Sequence, residues 1–160
     1  MADRHLLSSV RKGFTLIEVL LVIGIIAVLA TVVIVSLDPA TRFQNARDAR
    51  RLSDIESILS AVQQYIVDNK GALPQGLDTT ERQIGTATGS CLLWASSCHV
   101  DADSCLDLTT PLARYLKTIP SDPANGSEAM THYAISVNSN NIVTVSACDS
   151  SDVSISSVSH

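Results

Sequence analysis

The chain has 160 residues, a hydrophobic content of 46% and a formal net charge of -5, which leaves room for one modest domain beside an apolar segment. Sixteen acidic residues against eleven basic ones do not provide the basic surface by which proteins bind nucleic acid. We therefore expect no direct binding of nucleic acid.

The N-terminal region joins a few basic residues to a long apolar run. Arg4, Arg11 and Lys12 precede an uncharged stretch from Val19 to Leu37, close to the about 20 residues that a spanning helix needs. Basic residues on this side predict that the N-terminus stays in the cytoplasm and that everything after the run is exported. A secretory signal peptide ends in a small-residue cleavage site after its apolar core. The far end of this run has none, so we expect the helix to be retained.

One carboxylate, Glu18, stands at the start of the apolar run. A charge is unfavourable in hydrocarbon unless it has a partner, so we expect this residue to have a functional role. It follows a basic pair, Gly13 and Phe14, and lies four residues after Phe14. The simpler alternative is a plain single-pass anchor whose glutamate lies among the lipid headgroups.

This arrangement resembles the N-terminal signature of type IV pilins and of the pseudopilins of type II secretion systems. The resemblance implies that a prepilin peptidase cleaves between Gly13 and Phe14 and methylates the new amine of Phe14. It also implies assembly of identical or related subunits, in which Glu18 pairs with the Phe14 amine of a neighbour. The partners implied are the peptidase, other pilin subunits, an inner-membrane assembly platform and, before assembly, membrane lipid. The location implied is a single-pass cytoplasmic membrane protein with its head outside, and then an extracytoplasmic or cell-surface filament.

A second helical pattern follows the apolar run. Apolar residues recur at steps of three and four from Phe43 to Ile66, which predicts an amphipathic helix. The opposite, polar face is expected to carry Arg42, Asp48, Arg51, Asp54, Gln63 and Asp68. Asp38-Pro39 is typical of a helix start or a kink, so one bent helix and two separate helices both stay open; Gly24 is a second place for a bend. Asn69 to Gly71 predicts the end of the helix.

The rest of the chain predicts a small mixed head. Residues 72–90 read as a loop with a short helical turn near 79–83, and helix-like spacing recurs within 107–117. Two β-rich runs, 133–137 and 142–146, are separated by four polar residues, which predicts a hairpin. In the tail, Val153, Ile155 and Val158 alternate with serines, which fits either an edge strand or an irregular end.

Together these patterns predict an α+β protein. Its long N-terminal helix is apolar and then amphipathic, and its C-terminal head contains an antiparallel β-hairpin and disulfides. We expect a basic leader at 1–13, a transmembrane or filament-core helix at 14–37, an amphipathic half at 38–70 and an extracytoplasmic head at 71–160.

The four cysteines all fall in the segment expected outside the cytoplasm, which favours disulfides. They are Cys91, Cys98, Cys105 and Cys148. Of the three possible pairings, we expect Cys91 with Cys98 and Cys105 with Cys148, since the second bond would join the loop before a helix to the last strand. His99 raises zinc as an alternative, but the first three cysteines lack the close C-x2-4-C spacing of zinc sites.

No motif for catalysis or for a cofactor is found: the sequence lacks a Gly-rich phosphate loop, a nucleophile elbow and a metalloprotease helix. We therefore expect neither an enzyme nor a cofactor or metal site. Four acidic residues of the head could offer oxygen ligands to calcium, but their spacing matches no known site, and solvated loops explain them better. They are Asp122, Glu128, Asp149 and Asp152.

The function expected is that of a structural subunit of a type IV pilus-like filament. The alternatives are a pseudopilin of a type II secretion system and, with less support from the sequence, a single-pass anchored binding protein that does not polymerise. An anchored enzyme is the weakest reading, because no catalytic constellation supports it.

Overall fold

The computed structural model describes residues 13–95, 97–100, 104–151 and 156–160. It divides into two compact units, the first ending at Ala40 and the second running from Thr41 to His160. The predicted α+β class is confirmed, with a long N-terminal helical region and antiparallel strands in the C-terminal part.

The first unit is built on helix α1, Leu16–Leu37, in which no residue is buried. The helix runs through Gly24 without interruption. It ends where Asp38 adopts the left-handed conformation, with φ 38° and ψ 72°. Pro39 then begins α2, a position where proline is favoured because its missing N–H is not needed. The regular helical conformation is therefore interrupted at one residue, Asp38.

Helix α2, Pro39–Asp68, carries the apolar face of the second unit. Ile55, Ile58 and Val62 are completely buried, as the spacing predicts. The helix ends as expected: Gly71, with φ 89°, donates its N–H to the carbonyl of Ile66 at 2.8 Å. The expected polar face is partly wrong, because three of its members, Asp48, Arg51 and Asp54, are buried.

Four antiparallel strands form the main sheet, in the order β1-β4-β5-β6. Their bounds are β1 Arg82–Gln83, β4 Tyr133–Val137, β5 Val143–Ala147 and β6 Ser157–Ser159. The β4–β5 hairpin confirms the prediction, with Ile135 opposite Val145. The helical turn expected near 79–83 is wrong, since β1 pairs with β4 there. Val158 lies in the edge strand β6, whereas Val153 and Ile155 fall outside the described residues.

A second, two-stranded sheet pairs β2, Leu93–Trp94, with β3, His99–Val100. The helix expected within 107–117 is shorter than predicted: α3 spans Thr109–Leu112. Leu112 is buried there, and the following residues continue into the core as turns, with Leu116 partly buried. The core thus consists of one face of α2, the β4–β5 hairpin and this segment.

Two disulfides tie the head together, but their pairing differs from the one expected. Cys91 bonds Cys105, with 5.2 Å between the Cα atoms, and Cys98 bonds Cys148, with 5.1 Å. The β2–β3 register explains why the expected pairing was wrong. The carbonyl of Cys98 accepts the N–H of Ala95 at 3.2 Å, so Cys98 lies opposite Ala95 in this hairpin and not opposite Cys91, which comes four residues before Ala95. The two bonds span 14 and 50 residues of the chain.

Candidate processing and assembly site

The start of α1 is held by a reciprocal pair of hydrogen bonds. Thr15, the N-cap residue, has φ -82° and ψ 152°, and its Oγ1 accepts the backbone N–H of Glu18 at 3.3 Å. The Glu18 carboxylate returns to Thr15 and accepts from its backbone N–H at 2.8 Å. This capping box satisfies N–H groups that the first turn of a helix leaves without intrahelical partners.

The capping box also fixes where the Glu18 carboxylate lies. Its Oε2 accepts both the N–H and the Oγ1 hydroxyl of Thr15, each at 2.8 Å. Among the hydrogen bonds of the described residues, none involves the second oxygen, Oε1. The carboxylate is therefore held at the positive end of the α1 dipole, against Thr15, the residue that follows Phe14. Its second oxygen is still able to accept from a second molecule.

Gly13 and Phe14 lie in exposed chain before the helix, without regular secondary structure. The side chain of Phe14 is 83% exposed. A Cβ built on Gly13 would meet no heavy atom within 4 Å among the described residues. The packing of the chain therefore does not require glycine at this position. The basic residues Arg4, Arg11 and Lys12 lie outside the described residues.

The apolar surface of α1 follows directly on this site. Its leucine, isoleucine and valine side chains are about half exposed or more, from Leu16 at 81% to Val22 at 47%. A helix that is apolar on every side and uncovered needs lipid or protein around it. By length and composition α1 is compatible with a membrane anchor.

Comparison with known families agrees with this geometry. Residues 8–34 match the family model of the prokaryotic N-terminal methylation motif, the signature of type IV pilins and pseudopilins, as the resemblance predicts. The N-terminal region of the chain therefore carries this signature. The motif implies processing by a prepilin peptidase and polymerisation of the processed subunits. No curated protein and no solved structure matches the chain.

The head contains a buried ion network that the sequence analysis missed. The Arg51 guanidinium binds both carboxylate oxygens of Asp122, one of them from Nη2 at 3.2 Å. Its Nη1 also donates to Asp48 at 2.7 Å, and the Ser151 hydroxyl donates to the second oxygen of Asp48. All three charged residues are 6% exposed or less. The network joins α2 to two segments that follow much later in the chain.

The electrostatics of this network favour its charged state. Burial raises the pKa of Asp122, but hydrogen bonds from Arg51 and from two backbone amides outweigh it and lower that pKa below its usual value. Burial likewise raises the pKa of Asp48, and hydrogen bonds from Ser151 and Arg51 again lower it overall. The hydrogen bond to Asp122 raises the pKa of Arg51.

A second buried bond lies beside the network. The Tyr133 hydroxyl donates to the Asp54 carboxylate at 2.9 Å, which joins β4 to the same face of α2. Burial and this hydrogen bond raise the pKa of the tyrosine. Polar residues of α2 therefore hold both the sheet and the loops in place.

The acidic residues considered for calcium are arranged differently from a cation site. Asp122 is bonded to Arg51, and Asp149 accepts from His132 and from Asn125 at 2.9 and 2.7 Å. Glu128 is exposed, and Asp152 is not among the described residues. In the described ranges, no group of three or more histidine, cysteine or acidic residues could hold a metal ion. Cys98, the thiol considered for zinc beside His99, is held in a disulfide.

Proposed function

We propose that the chain is a structural subunit of a type IV pilus-like filament. The peptide bond between Gly13 and Phe14 is cleaved, the new amine of Phe14 is methylated, and the subunits polymerise through α1. The observation that carries this proposal is a carboxylate held at the N-terminus of an apolar helix in which no residue is buried, inside a matched methylation motif.

The chemistry explains why cleavage must come before assembly. When α1 packs among the α1 helices of other subunits, the Glu18 carboxylate leaves water and needs a partner. Cleavage at Gly13 creates a positively charged amine on Phe14 of each subunit. At about 4 Å and an effective dielectric near 20, such a pair gains about 4 kcal/mol before desolvation is subtracted. The pairing therefore sets the register between neighbours.

The proposal also gives the route of the subunit. Before assembly, α1 crosses the cytoplasmic membrane with the N-terminus inside and the head outside. An inner-membrane assembly platform then moves the subunit into the filament. A contact between unlike surfaces of successive copies gives an open helical polymer when its rotation does not close into a ring, and this is the geometry that we propose.

The test is the N-terminus of the mature chain. We would express the full chain with an active prepilin peptidase and determine the N-terminus of the membrane fraction by mass spectrometry. The proposal predicts a chain that begins at N-methylated Phe14. An intact Met1, or a cut after α1, would contradict it.

A glycine variant provides the matched control. Because a side chain at Gly13 meets nothing within 4 Å, Gly13→Ser should fold like the wild type and yet accumulate as uncut precursor. A side chain at Gly24 is equally unhindered, so Gly24→Ser should be processed normally. Normal processing of Gly13→Ser would count against the cleavage site.

A further inference from the structure

The first turns of α2 expose an aromatic ring between basic side chains. Phe43, Arg47 and Arg50 follow one another at steps of four and three residues, so they share one helical face. Phe43 is 68% exposed and the Arg50 side chain 67%. Arg50 approaches Asp54 at 3.6 Å, and no ion pair of Arg47 is found among the described residues. We call these three residues the basic stripe.

Aromatic residues and arginine are the types most enriched in the cores of protein interfaces. The sequence predicted Phe43 for the buried face of the helix, whereas the structure leaves its ring outside. An exposed ring with arginines on the same face therefore indicates a docking surface.

The charge distribution indicates what docks there. In residues 39–51, Arg51 and Asp48 are buried and paired with each other, and the three other arginines give this segment a net charge of +3. Residues 52–160 contain four basic and twelve acidic residues, a net charge of -8, and two of these acidic residues, Asp54 and Asp122, are buried. Complementary charge steers association and selects partners. Every copy of the subunit has an acidic head. In a filament, the acidic surface available to the basic stripe is therefore the head of another copy.

The head has a cavity whose size suits the aromatic ring of the basic stripe. Its volume is about 170 Å³, and Ile84, Leu108 and Leu116 contribute apolar walls. Asp107 and Glu128 also line it, together with Lys117. An apolar cavity of about 150 Å³ is large enough to bind benzene, so the ring of a phenylalanine fits a cavity of this size. We call it the head cavity.

We propose that, between neighbouring subunits of the filament, the Phe43 ring of one copy enters the head cavity of the next. Arg47 and Arg50 then face the carboxylates of Asp107 and Glu128. The inference rests on the proposed function, and it adds the surface through which the heads contact one another. The stripe and the cavity are different surfaces of one chain, so the contact is heterologous and suits an open polymer.

The test is a charge exchange in the full chain, expressed in cells with its assembly system, with sheared filaments as the readout. Arg47→Glu and Glu128→Arg should each lower the filament yield by about tenfold, the size of a coupling near 1.4 kcal/mol. The double variant should recover most of the wild-type yield, because the two charges attract again. Recovery also shows that neither single variant has lost its fold.

Matched variants elsewhere on the same unit serve as controls. Lys70→Glu and Glu56→Arg change charge at other exposed positions and should assemble like the wild type. Val67 is the other highly exposed apolar side chain of α2, at 77%. Phe43→Asp should therefore reduce assembly, whereas Val67→Asp should leave it unchanged.

The outcomes separate this inference from the proposed function. Normal yields from all the variants would overturn the docking contact and leave the filament function standing. A defect in Arg47→Glu that Glu128→Arg does not relieve would also overturn it, as expected if the stripe contacts anionic lipid headgroups. If the correctly processed wild type forms no filaments, the proposed function fails and the inference fails with it.

Discussion

Arg51 provides the sharpest test of how the head is held together. It is 6% exposed and neutralises two carboxylates that are each 3% exposed. Replacing it with methionine keeps most of the side-chain volume but leaves Asp48 and Asp122 buried without their cation. Breaking a buried ion pair by removing one partner usually costs about 3 to 5 kcal/mol. We expect Arg51→Met to lower the free energy of unfolding of the head by this amount at pH 7.

The pH dependence separates lost charge pairing from lost packing. In the wild type, the pKa values of Asp48 and Asp122 are lowered by folding. Their contribution to stability is therefore present above the unfolded pKa of about 3.9 and is lost as the pH falls through the folded values. In Arg51→Met the part of this contribution that comes from the arginine is absent at every pH, whereas the hydrogen bonds from Ser151 and from the backbone amides remain. The difference between the two proteins should be largest at neutral pH and should shrink below about pH 4.

The assay is urea unfolding of the full chain in detergent micelles, followed by near-ultraviolet circular dichroism, which reports on the packed head. The neighbouring Arg50→Met is the matched control, since its side chain is 67% exposed and its ion pair spans 3.6 Å. An exposed pair contributes at most about 1 kcal/mol. If Arg51→Met is no more destabilising than Arg50→Met, or if its deficit stays constant with pH, the account of the network is wrong.

Three further predictions concern the head. A Cβ on Gly126 would lie 2.3 Å from a backbone nitrogen four residues earlier, so Gly126→Ala should be destabilised by at least about 2 kcal/mol in urea unfolding; Gly89→Ala, where a Cβ meets nothing within 4 Å, should match the wild type. Replacing both cysteines of the Cys98–Cys148 bond, whose separation is 50 residues, should cost about 4 kcal/mol, against about 3 kcal/mol for Cys91–Cys105. A non-reducing peptide map that showed other pairs would contradict the fold. Tyr133→Phe leaves its carboxylate partner on α2 short of one hydrogen bond and should cost about 1 to 3 kcal/mol, a loss that an unchanged urea midpoint would exclude.

Features set by neighbouring residues could be predicted from the sequence. A local spacing of residue types sets each of four features: the methylation motif, the apolar helix, the buried face of α2 and the β4–β5 hairpin. Even the glycine after α2 adopts the positive φ that its position indicates. These elements were predicted because periodicity and turn chemistry depend on residues that lie within a few positions of one another.

Features set by distant contacts could not be predicted. Cys98 pairs with Cys148 across 50 residues, and no local spacing indicates this pairing. Arg51 is a polar residue, and its position on the helix predicts that it is exposed. It is buried because it binds Asp122, which lies 71 residues later in the chain. In the structure Asp122 also accepts two backbone amides in its own turn, and this local role does not reveal the arginine that it binds.

The most direct test of the central claim is the yield of filaments that contain this chain, from wild type and from Glu18→Ala, with equal amounts of processed subunit in the membrane. Glu56→Ala, at an exposed carboxylate of the second unit, is the control. We expect abundant filaments from the wild type and the control and very few from Glu18→Ala. Abundant normal filaments from Glu18→Ala would contradict assembly through the pairing of this carboxylate with the amine of Phe14.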